Sequence, residues 1–360
     1  MKKNKNETEI SDVTYRLVAS ASYYLGITEL IRKRSVSKGA LPWRIIRYQR
    51  VVNPEFLSYP VPRHCFVRPK TFEKQLSYLR SHCHVVSLQE LLSKIANDEP
   101  IQEKTVALTF DGGYSEHYTT VFPLLAKYGM PATMLLATAF IGSNTAFWSD
   151  KIALALLKLQ KFQGTFPSFS FLPDKFFEEL QELSPEGEIS LPGIALFIEA
   201  LREVKAEDRL YALAFFGKQL ESVGGVDIPQ MFISWEQVKE MAKAKVSFGS
   251  LGHGHTIASD FLKEEFASDL RQSYLAFTEH QIEPIKAFAF PEGLITQESL
   301  QWAEDCRVPY VLSIDTASVI KPGEGETSLL GRVSMVEALS YCPELFFARL
   351  WNVYAFGIYY

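Results

Sequence analysis

Three short stretches carry side chains able to do chemistry together. In "VALTFDGGY" (106–114), an apolar run ends at Asp111 and two glycines. In "VSFGSLGHGH" (246–255), a similar run delivers His253 and His255 into a glycine loop. In "IKAFAFPEG" (285–293), Pro291 and Glu292 follow a third apolar run. A carboxylate at a strand end can anchor a metal, act as a base, or cap the following helix. Imidazoles on a second strand end can bind the same ion or move a proton. Sites of parallel α/β folds collect at the carboxyl ends of strands, so these stretches are candidates to converge.

The segments around them have the alternation such a fold requires. "WRIIRYQRVV" (43–52) reads as a first core strand, and "KTFEKQLSYLR" (70–80) sets Phe72, Leu76 and Leu79 at helical spacing. "HVVSL" reads as a short strand entering a helix, with Ser87 and Glu90 at capping-box spacing. After Asp111 comes a helix bearing Val121, Leu124, Leu125 and Tyr128, ended by Gly129, and then the strand "ATMLLAT". "SWEQVKEMA" has a second capping box at Ser234 and Gln237, and "PYVLSI" (309–314) is a late strand. The predicted fold is an α/β parallel sheet, open or closed into a barrel.

Between 144 and 230 the pattern is helical: "DKIALALLKLQKF", "DKFFEELQEL", "GIALFIEALREV" and "DRLYALAFFGKQL". The predicted organisation is therefore an N-terminal leader (1–42), a barrel in two parts (43–143 and 231–340), a helical insertion (144–230) and a C-terminal tail (341–360).

Composition narrows the function classes. The 360 residues are 47% hydrophobic and carry 42 acids against 37 bases, a net charge of −5 with no long basic block. Nucleic-acid binding is not expected. The four cysteines lack metal-knuckle spacing, which with the absence of a signal-like apolar core gives a cytoplasmic expectation. Residues 15–34, "YRLVASASYYLGITELIRKR", are apolar, aromatic and end in a basic cluster. They are too short and interrupted to span a bilayer; a packing helix and a peripheral membrane contact are the two readings.

"TVALTFDGGY", "SWEQVKEMAKAKVSFGSLGHGHT" and "AFAFPEG", in this order, resemble the polysaccharide deacetylase (NodB-homology) family. "YQRV" and "LLGRVSM" resemble its outer motifs, and the likeness covers 43–143 and 231–335. The resemblance implies a distorted (β/α) barrel that removes N- or O-acyl groups from sugars with a divalent metal, zinc. It makes Asp111 the catalytic base and His255 a metal ligand or acid, and puts Tyr114, Trp235, Phe290 and Pro291 at the substrate groove. The implied partner is a glycan or a lipid-linked sugar.

The same resemblance assigns Gly112 and Leu251 to positions where the family has a metal-binding aspartate and histidine. Shifting the register by two makes His253 the first histidine but puts Ile257 at the second. Gln49, Ala289 and Glu292 also depart from the pattern, and no late histidine follows His280. A glycine and a leucine donate no side-chain electron pair, whereas catalytic zinc takes three protein ligands. The expectation is a weak or lost hydrolase, with a non-catalytic glycan-binding or regulatory pseudoenzyme as the alternative. A rearranged site of Asp111, His253 and His255 with Glu116 or His117 is the remaining way to hold an ion.

Overall fold

The computed structural model describes residues 17, 19–57, 59–163, 190–222, 228–260, 262–314, 319–320 and 327–353. Seven parallel strands, numbered here as barrel strands, close on themselves: β1 (Trp43–Tyr48), β2 (Thr105–Gly112), β3 (Ala132–Leu136), β4 (Val246–Ser250), β5 (Ala287–Ala289), β6 (Tyr310–Ser313) and β7 (Ser328–Ser334). Each pairs with the next, and β7 returns to β1, matching Ile45 with Arg332 and Ile46 with Val333. A short strand His84–Val86 lies beside the first half of β2, below the point where β3 takes over.

Alternation along each strand sorts the side chains. Val106, Leu108 and Phe110 face the surrounding helices, among them Pro69–His82 and Trp235–Ala242, through Phe72, Leu76, Val238 and Met241. Ala107 packs with Ile45, Leu135, Ala289, Leu312 and Leu330 in the interior. Thr109 and Asp111 continue that inward row. Both predicted helix starts hold: Ser234 and Gln237 make a reciprocal capping box, and Ser87 accepts from the Glu90 N–H.

Within the insertion, the helices Trp148–Gln163, Leu191–Glu203 and Ala206–Ser222 pack on one another through Ile152, Leu156, Phe197, Leu201 and Phe216. This is a separate small core. The predicted helix "DKFFEELQEL" lies outside the described residues. The end of the chain is not merely a tail: Pro343–Trp351 is a helix burying Leu345, Phe346, Phe347, Leu350 and Trp351 against the barrel.

Candidate functional site

Asp111 sits at the carboxyl end of β2, pointing into the barrel between two arginines. Arg332 on β7 donates Nη1 to Oδ1 at 2.6 Å and Nη2 to Oδ2 at 3.0 Å. Arg47 on β1 donates Nε to Oδ2 at 2.5 Å. Arg332 is wholly buried, and its Nε donates to the Ser313 carbonyl at 3.3 Å. Arg47 reaches Gln49 Oε1 at 3.2 Å with Nη2. Burial would raise the Asp111 carboxyl, but Arg332 and then Arg47 outweigh it and hold it at about 2. Both oxygens are committed to guanidinium hydrogens, so Asp111 is an ionised anchor with little basicity near neutral pH.

The two histidines part company. His255, held at φ 53°, lies buried with its ring stacked on Phe147, centroids 3.7 Å apart and planes 12° from parallel. Its Nδ1 is buried without a partner among the described residues. Burial lowers its pKa to about 4, against a weaker upward pull from Glu292 and Asp111. It is therefore neutral at physiological pH. His253 instead turns its Nδ1 to Thr138 Oγ1 at 2.9 Å, while its backbone N–H is held by Asp269.

The position where the family resemblance expects a second aspartate is closed. Gly112 has φ +107°, a region that L side chains rarely adopt. A Cβ there would lie 2.9 Å from Tyr114 Cε2 and 3.3 Å from Phe147 Cε2. Leu251 is a core residue packed with the interior row of Leu135 and Ala289. The residues present thus do not fit a divalent ion. Two aromatic rings occupy the space beside Gly112, the Asp111 lone pairs are taken, and His253 and His255 have different neighbours. Among the described residues, no three histidine, cysteine, aspartate or glutamate side chains gather as a metal cluster. Nor do Glu116 and His117 supply one. Glu116 accepts from Arg50 Nε, and His117 Nε2 contacts the Gln49 carbonyl at 2.8 Å.

What the mouth does contain is a small recess of about 20 Å³ between barrel and insertion, where Arg50, His64, Tyr114, Asp150, Arg202 and Glu292 stand beside apolar Val61, Pro62 and Ile198. Arg202, on the insertion helix Leu191–Glu203, donates to His64 Nε2 at 2.8 Å and pairs with Glu292 Oε2 at 3.2 Å. On the other side of the ring, Glu199 lies 2.8 Å from His64 Nδ1. Arg50 lies over the Tyr114 ring, 4.0 Å from its centroid, and donates to the Tyr59 hydroxyl at 3.0 Å. Asp150, in the first turn of Trp148–Gln163, accepts from the Tyr114 hydroxyl at 3.3 Å. Burial pushes its carboxyl up to about 6, opposed by Arg50 and by the Tyr114 bond.

Of the residues expected at a substrate groove, Tyr114 lines this recess, whereas Pro291 is buried and only its neighbour Glu292 reaches it. Trp235 is a core side chain stacked on His280, centroids 4.2 Å apart, and Phe290 is buried against Phe266 and Phe288. Sequence reasoning missed Arg47, Arg332, Phe147, Asp150 and Arg202. The arginines had a signal: a basic residue at an inward position of a buried strand needs a counter-ion. Phe147 had none, since nothing local tells a loop phenylalanine that it will meet a histidine across the mouth.

Comparison with known proteins follows the barrel. IcaB from Ammonifex degensii superimposes with a TM-score of 0.51 at 19% identity, covering 86% of this chain and 96% of that one. The deacetylase PplD of Streptococcus pyogenes gives 0.50 at 15% identity, covering 88% and 98%. YxkH of Bacillus subtilis (strain 168) is 34% identical over 77 residues, which is 21% of this chain and 28% of that protein. The poly-beta-1,6-N-acetyl-D-glucosamine N-deacetylase of Escherichia coli (strain K12) is 37% identical over 67 residues, 18% of this chain and 10% of that protein. The chain thus spans 28% and 10% of the lengths of these two curated relatives. The sequence profile for polysaccharide deacetylase matches residues 98–191 and 195–311, most of the chain, and with the closed parallel barrel it establishes that this protein belongs to the polysaccharide deacetylase family.

Proposed function

We propose that this family member recognises a glycan at the mouth of its barrel and has lost the metal-dependent acyl hydrolysis of its relatives. The observation that carries this is Gly112, whose left-handed backbone and packed neighbours leave no room for a ligand side chain. The neighbouring recess is lined by Arg50, Arg202, Asp150 and Glu292 around the Tyr114 ring, and a sugar would take over the donors and acceptors that now pair across it, the Arg202–Glu292 pair first. Hydroxyl-rich rings need this mixture, because each hydroxyl both donates and accepts. The E. coli relative, named for poly-beta-1,6-N-acetyl-D-glucosamine, points to an amino-sugar polymer as the first glycan to try. A lipid-linked sugar, with peripheral membrane contact through 15–34, belongs to the same reading, and the role of such a protein is binding or regulation.

Retained catalysis with Asp111 as base and His255 as acid is the weaker reading. A carboxylate held at about 2 by two arginines is many units from water, and a histidine held at about 4 is neutral at pH 7 and lacks the imidazolium proton a general acid gives. The test measures three things on one preparation: bound divalent metal by elemental mass spectrometry, acetate released from N-acetylglucosamine oligomers, and oligomer binding by calorimetry. Binding with neither ion nor acetate is expected. A stoichiometric ion with turnover overturns the proposal.

A further inference from the structure

The N-terminal helices pack only part of their apolar surface: Ala19, Tyr23 and Ile31 lie against core residues. Residues 19–24 and Ile27–Ser37 are helical, and the side chains the second helix buries are Thr28 and Arg32. Arg32 binds Glu29 at 2.9 Å and Glu103 at 3.0 Å and lies over the Trp351 ring. Facing outward instead are Leu17, Tyr24, Leu25, Ile27 and Leu30, exposed by 67, 74, 75, 40 and 68%. A helix packed only for the fold buries these and exposes the others.

We propose that this outward face docks the protein on an anionic membrane surface. The proposal deepens the membrane contact of the reading above by naming the face and the lipid class. The charge pattern selects the occupant. Lys33, Arg34 and Lys38 follow the apolar stripe, exposed and without ion pairs among the described residues. Glu29, the one acid among the described residues of 17–38, turns inward to Arg32 and Lys104. Leucines and a tyrosine entering the headgroup boundary, with cations left at the phosphates, is the arrangement of an interfacial helix. A second copy of this chain would bring cations of one sign together.

The placement agrees. Glu29 and Arg32 meet Lys104 and Glu103, which immediately precede β2, so the second helix lies at the strand starts, opposite the mouth. Lys286 and Arg307, which lie just before β5 and β6, line a groove of about 700 Å³ with Arg271 and with Asp305, the latter already paired with Lys263.

Flotation of the full chain with phosphatidylcholine vesicles, with and without phosphatidylserine, tests this. Binding to the anionic vesicles alone is expected. Leu25→Glu with Leu30→Glu, and separately Lys33→Glu with Arg34→Glu, should each weaken it by about tenfold or more at an unchanged thermal melt. Undiminished binding by either variant, or no binding to anionic vesicles, overturns the proposal. So does a concentration-dependent dimer, lost in the leucine variant, without vesicle binding. Oligosaccharide calorimetry on the same variants should match the parent, so a failed vesicle result leaves the glycan reading standing, and the converse holds.

Discussion

The Phe147 ring lies flat on the imidazole of His255, 3.7 Å between centroids, and shuts that histidine away from water. Its burial, more than any charge, holds the pKa at about 4. Phe147→Ala should let water reach the ring and move the pKa back towards the ordinary value of about 6.5. Imidazole NMR across a pH titration checks this; an unmoved pKa assigns the depression to another neighbour. The cavity should cost about 3–5 kcal/mol in urea unfolding at pH 7. The sign of the pH effect is fixed: a histidine depressed on folding contributes fully above about 6.5 and loses that contribution as pH falls towards about 4. The parent should therefore weaken over this window more steeply than the variant.

Asp111 joins strands β1, β2 and β7 electrostatically, since its partners come from positions 47 and 332. Asp111→Asn keeps the shape and removes the charge, leaving two buried guanidiniums facing each other. Breaking a buried pair this way costs about 3–5 kcal/mol. The depressed carboxyl contributes stability above about pH 4, lost as pH falls through about 2. The gap between parent and variant should therefore be wide at pH 7 and narrow near pH 2. Denaturant curves at both values check it, and a neutral substitution at pH 7 removes the anchoring role.

The fold was largely written in local pattern, and the site was not. Ser234 and Gln237 are three residues apart, so their capping box is visible in a line of sequence, as is Gly129 ending its helix. Asp111 is separated from Arg332 by 221 positions, and only barrel closure through β1 and β7 brings them together. The strand "LLGRVSM" nonetheless carried a clue, because Arg332 alternates with apolar neighbours and must be paired if buried. Trp235 shows the opposite case: an aromatic beside a motif took a place in the outer core, stacked on His280. The bidirectional clasp of Arg202 on His64 and Glu292 depends on how the insertion folds over the mouth, which no spacing encodes.

Placing an aspartate and a histidine at the two positions, by Gly112→Asp with Leu251→His, is the direct test of whether residue type alone decides zinc binding here. By electron-pair count the double variant should gain zinc. The packing predicts otherwise: the new Cβ at 112 meets Tyr114 at 2.9 Å on a backbone with φ +107°, and a histidine at 251 enters an apolar interior. Strain of this kind costs about 1–3 kcal/mol. Gly112→Asp alone should lower the melting temperature, and calorimetry of the double variant should detect no zinc binding above the parent. Micromolar affinity would mean that Tyr114 and Phe147 yield readily, and that the closure of the mouth is shallow.

Asp150 offers a gain rather than a loss. Its carboxyl is buried beside Glu116 and Glu292, and burial raises it to about 6. A carboxyl raised on folding contributes most below the unfolded value of about 4, and that contribution disappears as pH rises through about 6. At pH 7 the ionised group is a net burden of up to about 3 kcal/mol, softened by whatever water reaches the recess. Asp150→Asn keeps an oxygen to accept from the Tyr114 hydroxyl at 3.3 Å while removing the charge. The variant should melt higher than the parent at pH 7.5 and alike at pH 3.5, with the difference opening between about pH 4 and pH 6. If the recess binds sugars as proposed, the amide should also weaken oligosaccharide binding, because a buried acceptor is exchanged for a group that offers fewer lone pairs. A melt that is raised at both pH values would place the benefit in packing, and would remove the ionised carboxylate from the account of this mouth.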